Sequence, residues 1–226
     1  MQIADIKIGD VLRFGLRDWF KAAEYGVFLS VASAGTMPFG VGDRNATDPR
    51  AQEIVVHWLN SRDEEFDPGL VECLGGYYGG AYRRYRNGYL YQGFTNEELA
   101  TMVENVRLPY SSEVFGDNKF PLFKKVGVRI RNEWSYRPYW LGDNTGGSWR
   151  SIVAGNGTSG VAWATRLVDV RPVISLEPST KVARAGETLT PYSSKPKRLF
   201  ELDLNAEVFE SAPYTEEDIA SLFTLA

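Results

Sequence analysis

Short alternating apolar runs, cut by glycine, proline and asparagine, fill most of this sequence, and helical spacing is confined to two interior stretches and a closing one. No other feature narrows the fold as much. Parallel α/β architectures need a regular alternation of strand and helix, and none is present. The pattern therefore predicts an α+β fold with two helices covering a sheet and irregular loops between them. Strands are expected around a Gly9-Asp10 turn (Ile6 and Ile8, then Val11, Leu12 and Phe14), at 27–31, from Phe120 through Ile130, at Trp140-Leu141, at 161–168 and at 170–176.

The first helix is expected to start at Asp48 as N-cap with Pro49 at N1, and to gather Ile54, Val55, Trp58 and Leu59 on one face with His57 beside them. The second has the clearest start signal in the chain. Thr95 and Glu98 have capping-box spacing, Phe94 and Leu99 form the staple, and Leu99, Met102, Val103 and Val106 supply a buried face up to Pro109. A short third helix is expected after Thr215. Between the helices, residues 75–93 crowd six tyrosines among glycines and arginines, which suits irregular loops held by ring packing.

A chain of 226 residues buries enough surface to fold without disulfides or metal. Its single cysteine, Cys73, excludes an internal disulfide and any cysteine-cluster zinc site, and inside Leu70-Val71-Glu72-Cys73-Leu74 it reads as a small buried hydrophobe. The first residues place no basic cluster before an apolar stretch, so synthesis and retention in the cytoplasm are expected, with no membrane partner. Charge is unevenly spread. Residues 201–226 hold seven acids and no Lys or Arg, leaving +3 on residues 1–200 out of a total of -4. The basic stretch Lys195-Pro196-Lys197-Arg198 before this acidic segment reads as a linker.

The motifs that carry chemistry are weak. Gly155-Asn156-Gly157-Thr158-Ser159-Gly160 has the glycine spacing of a dinucleotide fingerprint, but strand-like sequence follows where a helix is required, so a mobile surface loop is expected instead. His57 is the only histidine, and its place next to Trp58 suggests packing, not catalysis. Arg83-Arg84-Tyr85-Arg86 could stack bases, yet the body is too nearly neutral for nucleic-acid binding to lead. No catalytic residues, cofactor or metal are expected. A calcium site would have only Asp143 and Asn144 as neighbouring donors.

Several segments in order carry a resemblance: Ile8-Gly9-Asp10-Val11-Leu12-Arg13-Phe14-Gly15, Trp58-Leu59-Asn60-Ser61, Gly88-Tyr89-Leu90 leading into Gly93-Phe94-Thr95-Asn96-Glu97-Glu98, Tyr139-Trp140-Leu141, and Val170-Arg171-Pro172-Val173-Ile174-Ser175-Leu176. Over about residues 5–182 the chain resembles a family of uncharacterised domains found in Gram-positive bacteria and their phages, similar in turn to the C-type-lectin-like fold of the formylglycine-generating enzymes. Gly142-Asp143 stands where the family usually has Arg-Ser. The resemblance implies a C-type-lectin-like domain over 1–182, with twisted, mostly antiparallel sheets, two covering helices and long irregular loops, followed by a C-terminal extension over 183–226 with an acidic short helix. It does not imply formylglycine chemistry, which relies on active-site cysteines.

The expected function is that of a non-enzymatic phage virion component, a head decoration, fibre or tail-associated protein. It would contact other virion subunits, or a host-surface glycan or protein, within a multi-subunit assembly. The alternative is a cytosolic bacterial carbohydrate- or ligand-binding domain. Asp143, Asn144, Trp149 and Asn156 are the candidate contact residues, because an aromatic anchor among adaptable polar groups suits a recognition surface. Trp140, Val173 and Ile174 are expected to cover one core, with Arg171 charged at a strand edge.

Overall fold

The computed structural model describes residues 1–40, 53–60, 93–124, 137–143, 148–190 and 193–204. Two sheets hold the described residues together. The first has six strands: β1 (Val11–Phe14), β2 (Arg17–Lys21), β3 (Val27–Ser30), β9 (Val173–Ser175), β10 (Val182–Thr190) and β11 (Ser193–Leu202), ordered β10-β11-β1-β2-β3-β9. The second has five: β4 (Gly35–Met37), β5 (Tyr139–Trp140), β6 (Trp149–Val153), β7 (Ser159–Trp163) and β8 (Val168–Val170), ordered β4-β8-β5-β6-β7. Only β1 with β11 and β5 with β8 run parallel; the other pairings are antiparallel. With few, short helices beside these sheets, the fold is α+β.

Both sheets contribute to both apolar clusters. Leu12, Phe14, Trp19, Phe28, Ile174 and Phe200 of the first sheet join Trp140, Ile152, Val168 and Val170 of the second in the larger cluster, which also takes Ile54, Val55, Trp58 and Leu59 from helix α1 (Ile54–Asn60). The smaller cluster, formed by alternate residues of the same strands, includes Val11, Phe20, Leu29, Val173, Tyr139, Leu141 and Val153. Trp140 and Ile174 therefore share a core as expected, while Val173 points into the other one, as the period of two along a strand requires. The Trp140 indole N–H donates to the Met37 carbonyl at 2.8 Å, so its burial leaves that donor satisfied.

The segment 170–176 is not one strand. Pro172 has no N–H to give a ladder, and at Arg171-Pro172 the chain leaves the second sheet as β8 and enters the first as β9. Arg171 is not at an exposed edge but fully buried, with Nε donating to the Ser30 carbonyl at 2.9 Å and its guanidinium over the Tyr139 ring at 5.6 Å. It ties the two sheets at their junction.

The second helix starts as predicted and ends early. In α2 (Asn96–Ala100) the Glu98 amide donates to the Thr95 hydroxyl oxygen at 3.2 Å, and the Thr95 amide donates to the Glu98 carboxylate at 2.8 Å. The other oxygen of Glu98 accepts the Gly15 amide at 2.7 Å, fastening the helix to the β1–β2 turn. Residues 101–108 do not continue the helix but run along the outer edge of β9. Met102 bridges Leu176, Arg107 bridges Val173, and the Val103 amide donates to the Ser175 carbonyl at 2.9 Å. Open backbone groups on that edge outweigh the helical spacing, and Val103, expected to be buried, is 63% exposed.

Other expectations change for similar local reasons. Residues 6–8 form no strand and follow a 3-10 turn at Ile3–Asp5; residues 121–124, Pro121–Lys124, are 3-10 instead of extended; and 164–167 form the turn between β7 and β8. α3 (Ser111–Val114) is a single turn the sequence reading did not anticipate. The basic stretch Lys195-Pro196-Lys197-Arg198 is not a linker but part of β11, whose Leu199, Phe200 and Glu201 pair with β1, while Arg198 forms an ion pair with Asp10. Position 182, the expected end of the main domain, is the first residue of β10. The Asp48-Pro49 helix start, Cys73, residues 83–86, the strand expected at 126–130 and the third helix lie outside the described residues.

Candidate partner-binding surface

The β6–β7 hairpin carries two of the candidate contact residues at its opposite ends, Trp149 at the open end of the ladder and Asn156 at the tip. Its strands pair Trp149 with Trp163, Ser151 with Val161 and Val153 with Ser159. At its tip the Ala154 amide donates to the Thr158 carbonyl at 2.8 Å and the Gly157 amide to the Ala154 carbonyl at 2.8 Å, while Gly157 takes φ +81°. Asn156 closes the turn from its side chain, its Oδ1 accepting the Thr158 amide at 3.1 Å and the Thr158 hydroxyl at 2.7 Å. The glycine-rich stretch is thus a built hairpin turn, not a loose loop. Of its three glycines only Gly157 takes the left-handed backbone that favours glycine, and Gly160 is a residue of β7.

Trp149 and Trp163 stack across the strands, with ring centroids 4.4 Å apart and planes inclined at 33°. The hydrogen-bonded positions of this ladder are the even ones, set by the Ala154–Thr158 bond and the Ala164 to Ser148 bond at 2.7 Å. The tryptophans fall at a non-hydrogen-bonded pair, where cross-strand side chains come closest. They remain 41% and 53% exposed, with Val161 beside them at 55%. The opposite face of the hairpin is internal: Ile152 and Ala162 enter the larger core, and the Arg150 guanidinium lies 5.0 Å over the Phe39 ring.

Asp143 lies outside the hairpin and is hydrogen-bonded within the fold. Its Oδ2 accepts the Ser111 amide at 2.5 Å and the Ser111 hydroxyl at 2.6 Å, which anchors the first residue of α3. Next to it, Arg107 makes a two-pronged pair with Glu113 at 2.7 and 2.8 Å, reaches Glu104 at 3.2 Å and lies over Tyr110. Burial opposes the Arg107 charge, but Glu113 and then Glu104 outweigh it and hold the guanidinium above its ordinary pKa. Asn144 lies outside the described residues. Among the described residues no three His, Cys, Asp or Glu side chains gather as a metal site, and no helix is long and apolar enough to cross a membrane. His57 is half-buried on α1, between Ile54 and Trp58.

Trp163 is the member of this exposed aromatic pair that sequence reasoning missed. The signal was present, because Trp149 and Trp163 stand seven residues either side of Asn156, at the centre of a glycine-flanked turn between two β-rich runs. Comparison of the chain with protein families, with curated proteins and with solved structures finds no match.

Proposed function

We propose that the chain is a non-enzymatic binding protein of a phage particle, of C-type-lectin-like fold, which contacts other virion subunits or a host surface through the outer face of the β6–β7 hairpin. One observation carries the contact role: two stacked tryptophans and a valine stand exposed on a strand pair whose other face is locked into the core. Rigid aromatic anchors of this kind lose little conformational entropy on binding and concentrate binding energy. The particle assignment and the finer fold rest on the segmental resemblance from Ile8 to Leu176.

Mass spectrometry of purified particles tests the assignment. The chain is expected among the structural proteins at stoichiometric level, and its absence from particles overturns the virion role. The exposed indoles also favour one alternative, a carbohydrate-binding domain, because the apolar faces of sugar rings stack on tryptophan. A glycan array supports that alternative if one ligand binds tightly and binding disappears in Trp163→Ala.

A further inference from the structure

The two sheets have four edges, and three are closed to further pairing. The edge at β9 is covered by residues 101–108. The edge at β10 is interrupted by register shifts at 184–186 and 188–190 and carries Arg184 and Glu187. The edge at β4 is three residues long. Bulges, charges and short strands are the usual devices by which sheets avoid pairing with other chains.

β7 has none of them. It is the last strand of the second sheet, and among the described residues no strand lies beyond it. Since its even residues bond to β6, the amides of Ser159, Val161 and Trp163 and the carbonyls of Ser159 and Val161 face outward along an edge where Val161 and Trp163 are more than half exposed, while the Trp163 carbonyl accepts the Arg166 amide at 2.8 Å. From Ser151 to Thr165 the sequence has no charged residue.

We infer that β7 pairs antiparallel with β7 of a second copy of this chain, about a two-fold axis at Val161, joining two five-stranded sheets edge to edge. In such a contact each residue near the axis meets its own copy, so any charge there would face itself, and the uncharged run removes that repulsion. Val161 then opposes Val161, and Ser159 opposes Trp163 of the other copy. The inference rests on reading this hairpin as a contact surface and names the partner of its edge. A few strand residues bury less than the ~1,200 Å² of a standard stable complex, so pairing depends on concentration and is favoured where many copies are held close, as in a particle.

Sedimentation velocity from micromolar to millimolar concentration tests this. Wild type is expected to pass from monomer to dimer. Val161→Lys, which places like charges at the axis, and Val161→Pro, which removes an outward amide not used by β6, are expected to weaken the dimer about tenfold or more with an unchanged circular dichroism spectrum. A wild type that stays monomeric, or a dimer equally strong in both variants, overturns the pairing. In a Cys73→Ser background, Val161→Cys is expected to cross-link on mild oxidation while the inward-facing Ala162→Cys does not; equal cross-linking of both also overturns it. The two readings fail separately. A monomer that still associates with particles through its tryptophans refutes only the pairing, and a dimer absent from particles refutes only the virion role.

Discussion

Lys21 carries its ammonium group into the protein, 1% exposed, where Nζ donates to the Ile3 carbonyl at 3.1 Å and lies 5.0 Å from the centre of the Phe28 ring. Burial lowers its pKa from 10.5 to about 8, with Glu24 acting in the opposite direction. Below pH 8 the folded and unfolded chains both hold the proton and the full desolvation penalty applies. Between about 8 and 10.5 the unfolded chain binds a proton that the folded chain has lost, so the contribution of Lys21 to stability rises with pH across that window. The stability of wild type relative to Lys21→Met is expected to rise by at most about 3 kcal/mol between pH 7 and pH 10.5 in urea denaturation. An equal offset at both pH values contradicts the desolvation argument. At Gly26 the backbone sets the limit: φ is +81° and a β-carbon would run into the Leu176 carbonyl. Gly26→Ala is expected to cost at least about 2 kcal/mol in the same assay.

Among the elements, α2 shows what can and cannot be read from sequence. Its start was legible because a capping box is local chemistry, complete within Thr95 and Glu98. Its end was not. Met102, Val103 and Val106 keep helical spacing, but the demand that redirects them comes from the open edge of β9, seventy residues further on. The break at Arg171-Pro172 was hidden in the same way, since a proline between two apolar runs does not say that they belong to different sheets. In the hairpin, Trp149 and the turn were read separately; only strand register joins them to Trp163. Thr95→Ala is expected to destabilise by about 1 kcal/mol. Glu98→Ala should cost more, since it leaves the amides of both Thr95 and Gly15 without their acceptor. Equal losses would show that the link to the β1–β2 turn adds nothing.

At the level of the whole molecule, β11 lies between β10 and β1, and its Leu199 and Phe200 reach the two apolar clusters. A chain stopped after residue 182 is therefore expected to lose its cooperative thermal transition, because β1 loses a neighbour along Val11 to Arg13 and both cores lose side chains. A chain stopped after residue 204 is expected to keep it. Calorimetry of the two truncations distinguishes a sheet that includes 193–202 from one complete at 182.

The central claim, that a rigid strand pair presents its tryptophans to a partner in a particle, is tested most directly by competition for incorporation. Particles would be assembled in the presence of equal amounts of wild-type chain and a Trp149→Ser/Trp163→Ser variant whose melting temperature shows it is folded, and the ratio of the two read by mass spectrometry. The account predicts at least about tenfold enrichment of wild type, since losing two aromatic anchors should cost more than ~1.4 kcal/mol. Equal incorporation of the folded variant would contradict it.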